Sequence, residues 1–423
     1  MPIKRLQSGI RPFSASGGFK GRPRRTPPEG GSSSRREFLK AGAVAAGALC
    51  LGCPNAFLTP DGATAFATME SAEGLVTGQS EKEFPLKEAM YYKKLETLRV
   101  ECQLCPRGCK VADLERGYCG VRENRGGDYY TLVHSRACAL HIDPIEKKPF
   151  FHYLPGTPAL SVAAPGCNIE CKFCQNWQIS QFRPEQIDCT RLSPEDPVRR
   201  AKQSSSPTIA FTYSEPVVFY EYMYDTARMA RGQGVTSVAV SNGYIKEEPL
   251  VELCKYLDAV KIDLKAFTEK FYKETCSGEL KPVLETLKTL KRLGKWFEIV
   301  VLIVPTLNDG EGEIKEMCSW VLQELGPDVP IHFSRFHPTY KIMNLPPTPV
   351  AILERARQIA MDTGLHFAYL GNVPGHEGES TYCPKCKELV IKRVGLVVAK
   401  NHLQEGHCGN CQHPIPGVWS INV

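Results

Sequence analysis

From about residue 157 onward the chain alternates between two rhythms. Short apolar runs are followed by longer stretches in which apolar residues return every third or fourth position, as expected for strands and for helices with one buried stripe. The runs are ALSVAA (159–164), TIAFTY (208–213), TSVAVSN (236–242), DAVKIDLK (258–265), WFEIVVLIV (296–304), PIHFSRF (330–336) and HFAYLGN (366–372). Between them lie PVVFYEYMYDTARMARG, PVLETLKTLKRLG, IKEMCSWVLQELG and VAILERARQIAMDTG, closed by Gly, the residue that most easily adopts the left-handed conformation of a helix stop. A strand-helix unit repeating every roughly thirty residues predicts an α/β fold with a parallel sheet, either open and doubly wound or closed into a full or partial barrel. Either arrangement gathers ligand chemistry at the carboxyl ends of the strands. No G-x-G-x-x-G follows any strand, so the main signature of dinucleotide binding is missing.

Ahead of this rhythm the composition changes. Residues 1–78 are rich in Gly, Ser, Pro, Ala and Arg without a lasting period and read as a leader and linker. The 423-residue chain has a formal charge of +6, but residues 1–40 hold ten Lys/Arg against Glu29 and Glu37. The remainder is slightly acidic and gives no support for nucleic-acid binding. In SSSRREFLKAGAVAAGALCLG, Arg35 and Arg36 precede Phe38, Leu39, Lys40 and a small, moderately apolar run, the order of a twin-arginine export signal. That run is Ala/Gly-rich and interrupted by Pro54, a weak membrane span. Cleavage is expected near Ala65 or Ala67, with lipid attachment at Cys53 as the alternative. These features predict a periplasmic or inner-membrane-associated protein, associated with the membrane through its N-terminal segment, or a cytoplasmic one if the signal is not used.

Eighteen cysteines in an exported chain suggest disulfides, but their spacing argues for metal binding. Three tight sets stand out: Cys102, Cys105, Cys109 and Cys119 in a turn-rich lobe (87–156); Cys167, Cys171 and Cys174 immediately after strand ALSVAA; and Cys383, Cys386, Cys408 and Cys411 at the C-terminus (380–423). Pairs two or three residues apart converge their sulfurs on one point. The middle set has only three thiols and no neighbouring His or Asp to complete it, so its fourth ligand is expected from outside the protein. Cys254 and Cys318 fall in apolar helical patterns and are expected to pack, with Cys138, Cys189 and Cys276 scattered between the sets.

The C-x3-C-x2-C loop with Phe173 before its third cysteine resembles the signature of radical S-adenosylmethionine enzymes. GCNIECKFCQNWQIS, together with DPIEKKPFFHYLPG, TYSEPVVFYEY, SNGYI, DLKAF, VPTLND, HFSRFHPTY and YLGNV, is similar to the AmmeMemoRadiSam-system radical SAM enzymes, relatives of glycyl-radical-enzyme activases. The resemblance implies a partial (β/α)6 barrel over 157–375 and a [4Fe-4S] cluster on Cys167, Cys171 and Cys174. It also implies S-adenosyl-L-methionine on the open iron, reductive formation of a 5′-deoxyadenosyl radical, and hydrogen abstraction from a substrate. An electron-donor protein and an unknown substrate, a partner protein or a small metabolite, are the partners it implies. A non-catalytic electron-transfer or zinc-dependent interaction protein is the alternative.

Strand alternation puts Lys261, Asp263 and Lys265 on one face of DAVKIDLK, away from Val260, Ile262 and Leu264. Charges facing a barrel interior are costly unless they bind something, so Asp263 and Lys265 are candidates for the zwitterionic methionine portion. Glu215, on the constrained Glu-Pro turn after TIAFTY, is a candidate acceptor for the cofactor's ammonium group. Asn242 and Gly243 end TSVAVSN and are candidates for a hydrogen bond and a close backbone approach. By resemblance Phe173 lies near the adenine, and His332, Ser334 and Asn372 are candidate pocket residues. Cys383 to Cys411 resembles a zinc ribbon, with iron as the alternative. Cys102, Cys105, Cys109 and Cys119 supply four thiolates for either structural zinc or an auxiliary iron-sulfur cluster.

Overall fold

The computed structural model describes residues 84–421, all within one compact unit, Gly74–Val423. The segment expected to be a twin-arginine leader (1–78), with Cys50 and Cys53, lies outside the described residues.

An eight-stranded sheet forms the centre. Its strands are β1 (Ala139–Pro144), β2 (Pro158–Ala163), β3 (Thr208–Phe211), β4 (Thr236–Ser241), β5 (Ala259–Asp263), β6 (Trp296–Ile303), β7 (Ile331–Arg335) and β8 (Ala368–Gly371), side by side in chain order. Neighbours from β2 to β8 pair in parallel, and β1 joins the edge antiparallel to β2. The crossovers carry α1 (Glu195–Gln203), α2 (Tyr220–Arg231), α3 (Glu247–Leu253), α4 (Glu269–Cys276), α5 (Leu280–Arg292), α6 (Glu311–Leu325) and α7 (Val350–Thr363). Gly326 and Gly364 cap α6 and α7 with positive φ, as the sequence pattern requires.

The period-two alternation of the strands decides what each face of the sheet meets. Leu160, Val162, Ile209, Phe211, Val260, Ile262, Ile299 and Val301 share one core with Met223, Leu250, Leu287, Met317, Val321 and Leu353 of the helices. On the opposite face, Ala159, Ala210, Val238 and Ala259 meet Ile145, Phe150, Tyr153 and Leu154 instead. The helices therefore share one face, unlike a doubly wound sheet with helices on both.

Residues 139–156, placed by sequence in the N-terminal lobe, belong to the core: β1 extends the sheet, and the following segment covers the amino-terminal half of its helix-free face. What remains of the lobe is two small antiparallel sheets, one from Lys87–Glu88, Asp128–Thr131 and Arg122–Arg125, the other from Tyr92–Lys94, Val100–Cys102 and Lys110–Val111. The buried pair Arg122–Glu221, with Nη2 2.6 Å from Oε1 and 2.7 Å from Oε2, joins this lobe to α2. A C-terminal meander of Thr381–Tyr382, Leu389–Val394 and Val397–Asn401 docks on the 145–154 segment, where Arg393 Nη2 donates to the Phe151 carbonyl at 2.7 Å. Among the described residues no helix is long and apolar enough to cross a membrane.

Candidate cluster and cofactor site

The loop after β2 carries Cys167, Cys171 and Cys174 at the carboxyl end of the sheet, and several elements hold its backbone. Gly166 N–H donates to Ile179 O at 2.9 Å, Glu170 N–H to Cys276 O at 2.8 Å, Lys172 N–H to Thr275 O at 2.9 Å, and Lys341 N–H to Lys172 O at 2.9 Å. Glycine is required at 166: φ is +107°, and a Cβ there would lie 2.6 Å from Val121 Cγ1 and 3.3 Å from the Cys119 carbonyl oxygen. Cys171 is buried, and Cys167 and Cys174 are half-buried.

The sequence candidates from β3, β4 and β5 surround this loop. Asp263 and Lys265 form an ion pair at 2.8 Å, and Lys265 faces Cys171. Asn242 Nδ2 lies 2.9 Å from Asn168 Oδ1 and 3.8 Å from Cys167 Sγ. Glu215 is 4% exposed and accepts from Ser241 Oγ at 2.6 Å, Asn242 N–H at 2.8 Å and Val217 N–H at 3.1 Å. Burial outweighs these three hydrogen bonds and pushes its carboxyl up to about 7. The side chain thus ties the turn after β3 to the end of β4, beside Cys167.

Five other candidates contact protein groups. Gly243 is needed for packing: with φ at +71°, a Cβ there would sit 3.2 Å from both Ile262 Cγ2 and Val283 Cγ1, in the core beneath the helices. Phe173 is 4% exposed with its ring 6.0 Å from that of Phe271, so it anchors the loop on α4. His332 lies toward the amino ends of the strands, its Nε2 2.7 Å from Glu298 Oε2 and its ring against Phe151 and Tyr369. Glu298 also accepts the N–H groups of Phe151 at 3.0 Å and His152 at 2.8 Å, making this a buried hydrogen-bonded knot beneath the sheet. Asn372 follows β8 and is exposed, donating to the Arg335 carbonyl at 3.2 Å, whereas Ser334 is buried.

Some site residues escaped sequence reasoning. Cys276, read as scattered, is buried at the end of α4 against Cys171. Its spacing gives no signal; the crossover from β5 brings it back to the loop. Lys261, on the face opposite Val260 and Ile262, has no role in the sequence pattern; its Nζ is buried without a hydrogen-bond partner, and burial lowers its pKa to about 7. Asn168 occupies an x position of the cysteine motif, invisible to a ligand search. It donates to Tyr244 O at 2.7 Å and receives Arg107 Nε on its own carbonyl.

At the C-terminus the sulfurs of Cys383, Cys386, Cys408 and Cys411 all lie within 4.8 Å of one another, with Cys383–Cys411 at 3.6 Å and Cys386–Cys408 at 3.7 Å. A tetrahedral ion with metal-sulfur bonds of about 2.3 Å requires sulfur separations of about 3.8 Å. These four residues fit a single ion.

With the geometry established, comparison with known proteins decides the family. Residues 161–321 match the model of the Radical SAM superfamily. An uncharacterized protein of Methanocaldococcus jannaschii is 49% identical over 308 residues, covering 73% of this chain and 92% of its own. The chain belongs to the radical SAM superfamily. Membership implies S-adenosylmethionine and an iron-sulfur cluster, and the three-thiol loop between Asn242 and Lys265 has the donor chemistry to hold them. This radical SAM chain is also 22% identical to the pyruvate formate-lyase-activating enzyme of Clostridium pasteurianum over 163 residues, 36% of this chain and 65% of that one. A radical SAM methyltransferase from Sphaerobacter thermophilus superposes over 54% of this chain and 71% of its own, with 15% identity and a TM-score of 0.42.

Proposed function

We propose that this protein is a radical S-adenosylmethionine enzyme that abstracts hydrogen from its substrate, with Cys167, Cys171 and Cys174 holding a [4Fe-4S] cluster. The observation that carries the proposal is the placement of three thiols, without a fourth protein ligand in their motif, at the carboxyl end of a parallel sheet beside the Asp263–Lys265 pair. We read the one-sided sheet as a partial (β/α)6 barrel with its helix-free face as the interior. When bound, the cluster and cofactor supply reductive cleavage to a 5′-deoxyadenosyl radical. The chain's own residues bind and orient. Lys265 and Asp263 present opposite charges to the carboxylate and ammonium of the methionine portion. Glu215 fixes Ser241 and Asn242, and through Asn242 the end of β4 against Cys167. The 145–154 segment excludes water from the amino ends of the strands.

The similarity to pyruvate formate-lyase-activating enzyme supports a protein as the hydrogen donor, with a small metabolite as the competing substrate. An electron-donor protein is the second partner. We propose zinc for the C-terminal four-cysteine site, on the strength of its sulfur spacing, and export by the twin-arginine leader. Anaerobic reconstitution followed by measurement of 5′-deoxyadenosine tests the central reading. Product from the wild-type protein that is lost in Cys171→Ala supports it; a reconstituted protein that binds iron and yields no product favours the electron-transfer alternative.

A further inference from the structure

We infer that Cys102, Cys105, Cys109 and Cys119 hold a second iron-sulfur cluster, beside the loop that carries Cys167, Cys171 and Cys174. The four cysteines line one cavity, together with Leu104, Arg122 and Tyr129. Among the described residues, only the C-terminal set brings its ligand atoms within 4.8 Å of one another. The N-terminal sulfurs are spread around their cavity more widely than the C-terminal four, as are those of Cys167, Cys171 and Cys174. A single zinc ion draws four sulfurs to the edges of a small tetrahedron, whereas a cluster with its irons at separate corners holds them apart.

The cavity wall carries polar atoms that protein groups leave unused. Arg122 and Tyr129 both line it and are 1% and 0% exposed, and neither Arg122 Nε nor Tyr129 Oη has a hydrogen-bond partner. Buried donors without acceptors cost roughly 1–3 kcal/mol each unless a bound group supplies the acceptors. The sulfides and thiolates of a cluster are acceptors of that kind, and donors to them raise its potential. Gly117 keeps the wall open, since a Cβ there would meet Tyr129 Oη at 2.6 Å.

Position supplies the role. Asn168, the neighbour of Cys167, lines the same cavity, and the Cys119 carbonyl lies against Gly166. Arg107 clamps the two together, donating through Nε to Asn168 O and through Nη2 to Ser277 O. The second cluster takes one electron from a low-potential donor protein and passes that electron to the adjacent cluster, regaining its oxidised state with no bond made or broken. This role rests on the proposed function; the site itself does not.

The test uses the full chain, reconstituted without oxygen, with iron, acid-labile sulfide and zinc counted. The inference predicts about eight irons per chain in the wild type. It predicts about four in the triple variant Cys167→Ala, Cys171→Ala, Cys174→Ala, with a reduced-cluster paramagnetic signal that ignores S-adenosylmethionine. About four irons with a second zinc in the wild type, or a triple variant without iron-sulfur absorption, overturns it. Tyr129→Phe retains the second cluster and shifts its potential downward; an unchanged potential overturns the assignment of that hydroxyl as a donor to the cluster. Failure of the proposed function reads differently: the triple variant keeps its signal while the wild type gains none that responds to the cofactor.

Discussion

At the scale of single residues, the helix-free face of the sheet carries charges whose titration is measurable. Lys261 has its pKa lowered to about 7 by burial, against an unfolded value of about 10.4. Between those values the folded protein holds fewer protons than the unfolded chain, so Lys261 makes stability rise with pH across that window. Lys261→Met is expected to stabilise the fold at pH 7, on the order of 2 kcal/mol, and to flatten that rise, as read by denaturant unfolding at several pH values. Glu298 behaves oppositely. Burial would raise its pKa, but His332 and the N–H groups of Phe151 and His152 hold it at about 2, so its stabilisation is present above the unfolded value of about 4.3 and is lost as pH falls toward 2. Glu298→Gln should cost about 1–3 kcal/mol at neutral pH, because it leaves buried donors poorly matched, as read by denaturant unfolding.

These residues also mark what the sequence reveals at this scale. Alternation in DAVKIDLK puts Lys261, Asp263 and Lys265 on the face opposite Val260, Ile262 and Leu264, because a strand's period is fixed by its backbone. The same rule put His332 on that face without giving its depth. Two residues into its strand it meets Glu298, and depth depends on the stagger of neighbouring strands, which is not local information. Gly243 shows the same limit: its positive φ is legible, but which neighbour requires it is not.

At the scale of elements, the cysteine loop is held from three directions, by α4, by the N-terminal lobe and by the stretch around Lys341. Strand and helix positions were readable because both faces of each element follow a hydrophobic period. The edge strand β1 was not, since its exposed Ile142 and His141 break that pattern. Arg107 joins the lobe to the loop through two backbone carbonyls and lies 3.4 Å from the centroid of the Tyr118 ring. Arg107→Ala is expected to lower global stability by only about 1 kcal/mol while amide exchange across residues 167–174 accelerates. Equal protection in both proteins would show that the clamp does not restrain the loop.

At the scale of the molecule, two four-cysteine sets flank a sheet whose two ends do different work. The C-terminal module closes the amino-terminal end, where Val418 N–H donates to His152 O at 2.8 Å and Leu154 N–H to Val418 O at 2.8 Å. Cys386→Ser with Cys411→Ser should therefore remove about one zinc per chain and lower the melting temperature, since a small metal module folds on its ion. The carboxyl end is left to the cysteine loop and the charged pair of β5. The most direct measurement is 5′-deoxyadenosine formed by the anaerobically reconstituted chain supplied with S-adenosylmethionine and a low-potential reductant. Nucleoside formed by the wild type and abolished in Cys171→Ala is the predicted result. None from a wild-type protein with a full iron complement, or the same amount from both proteins, would contradict the account.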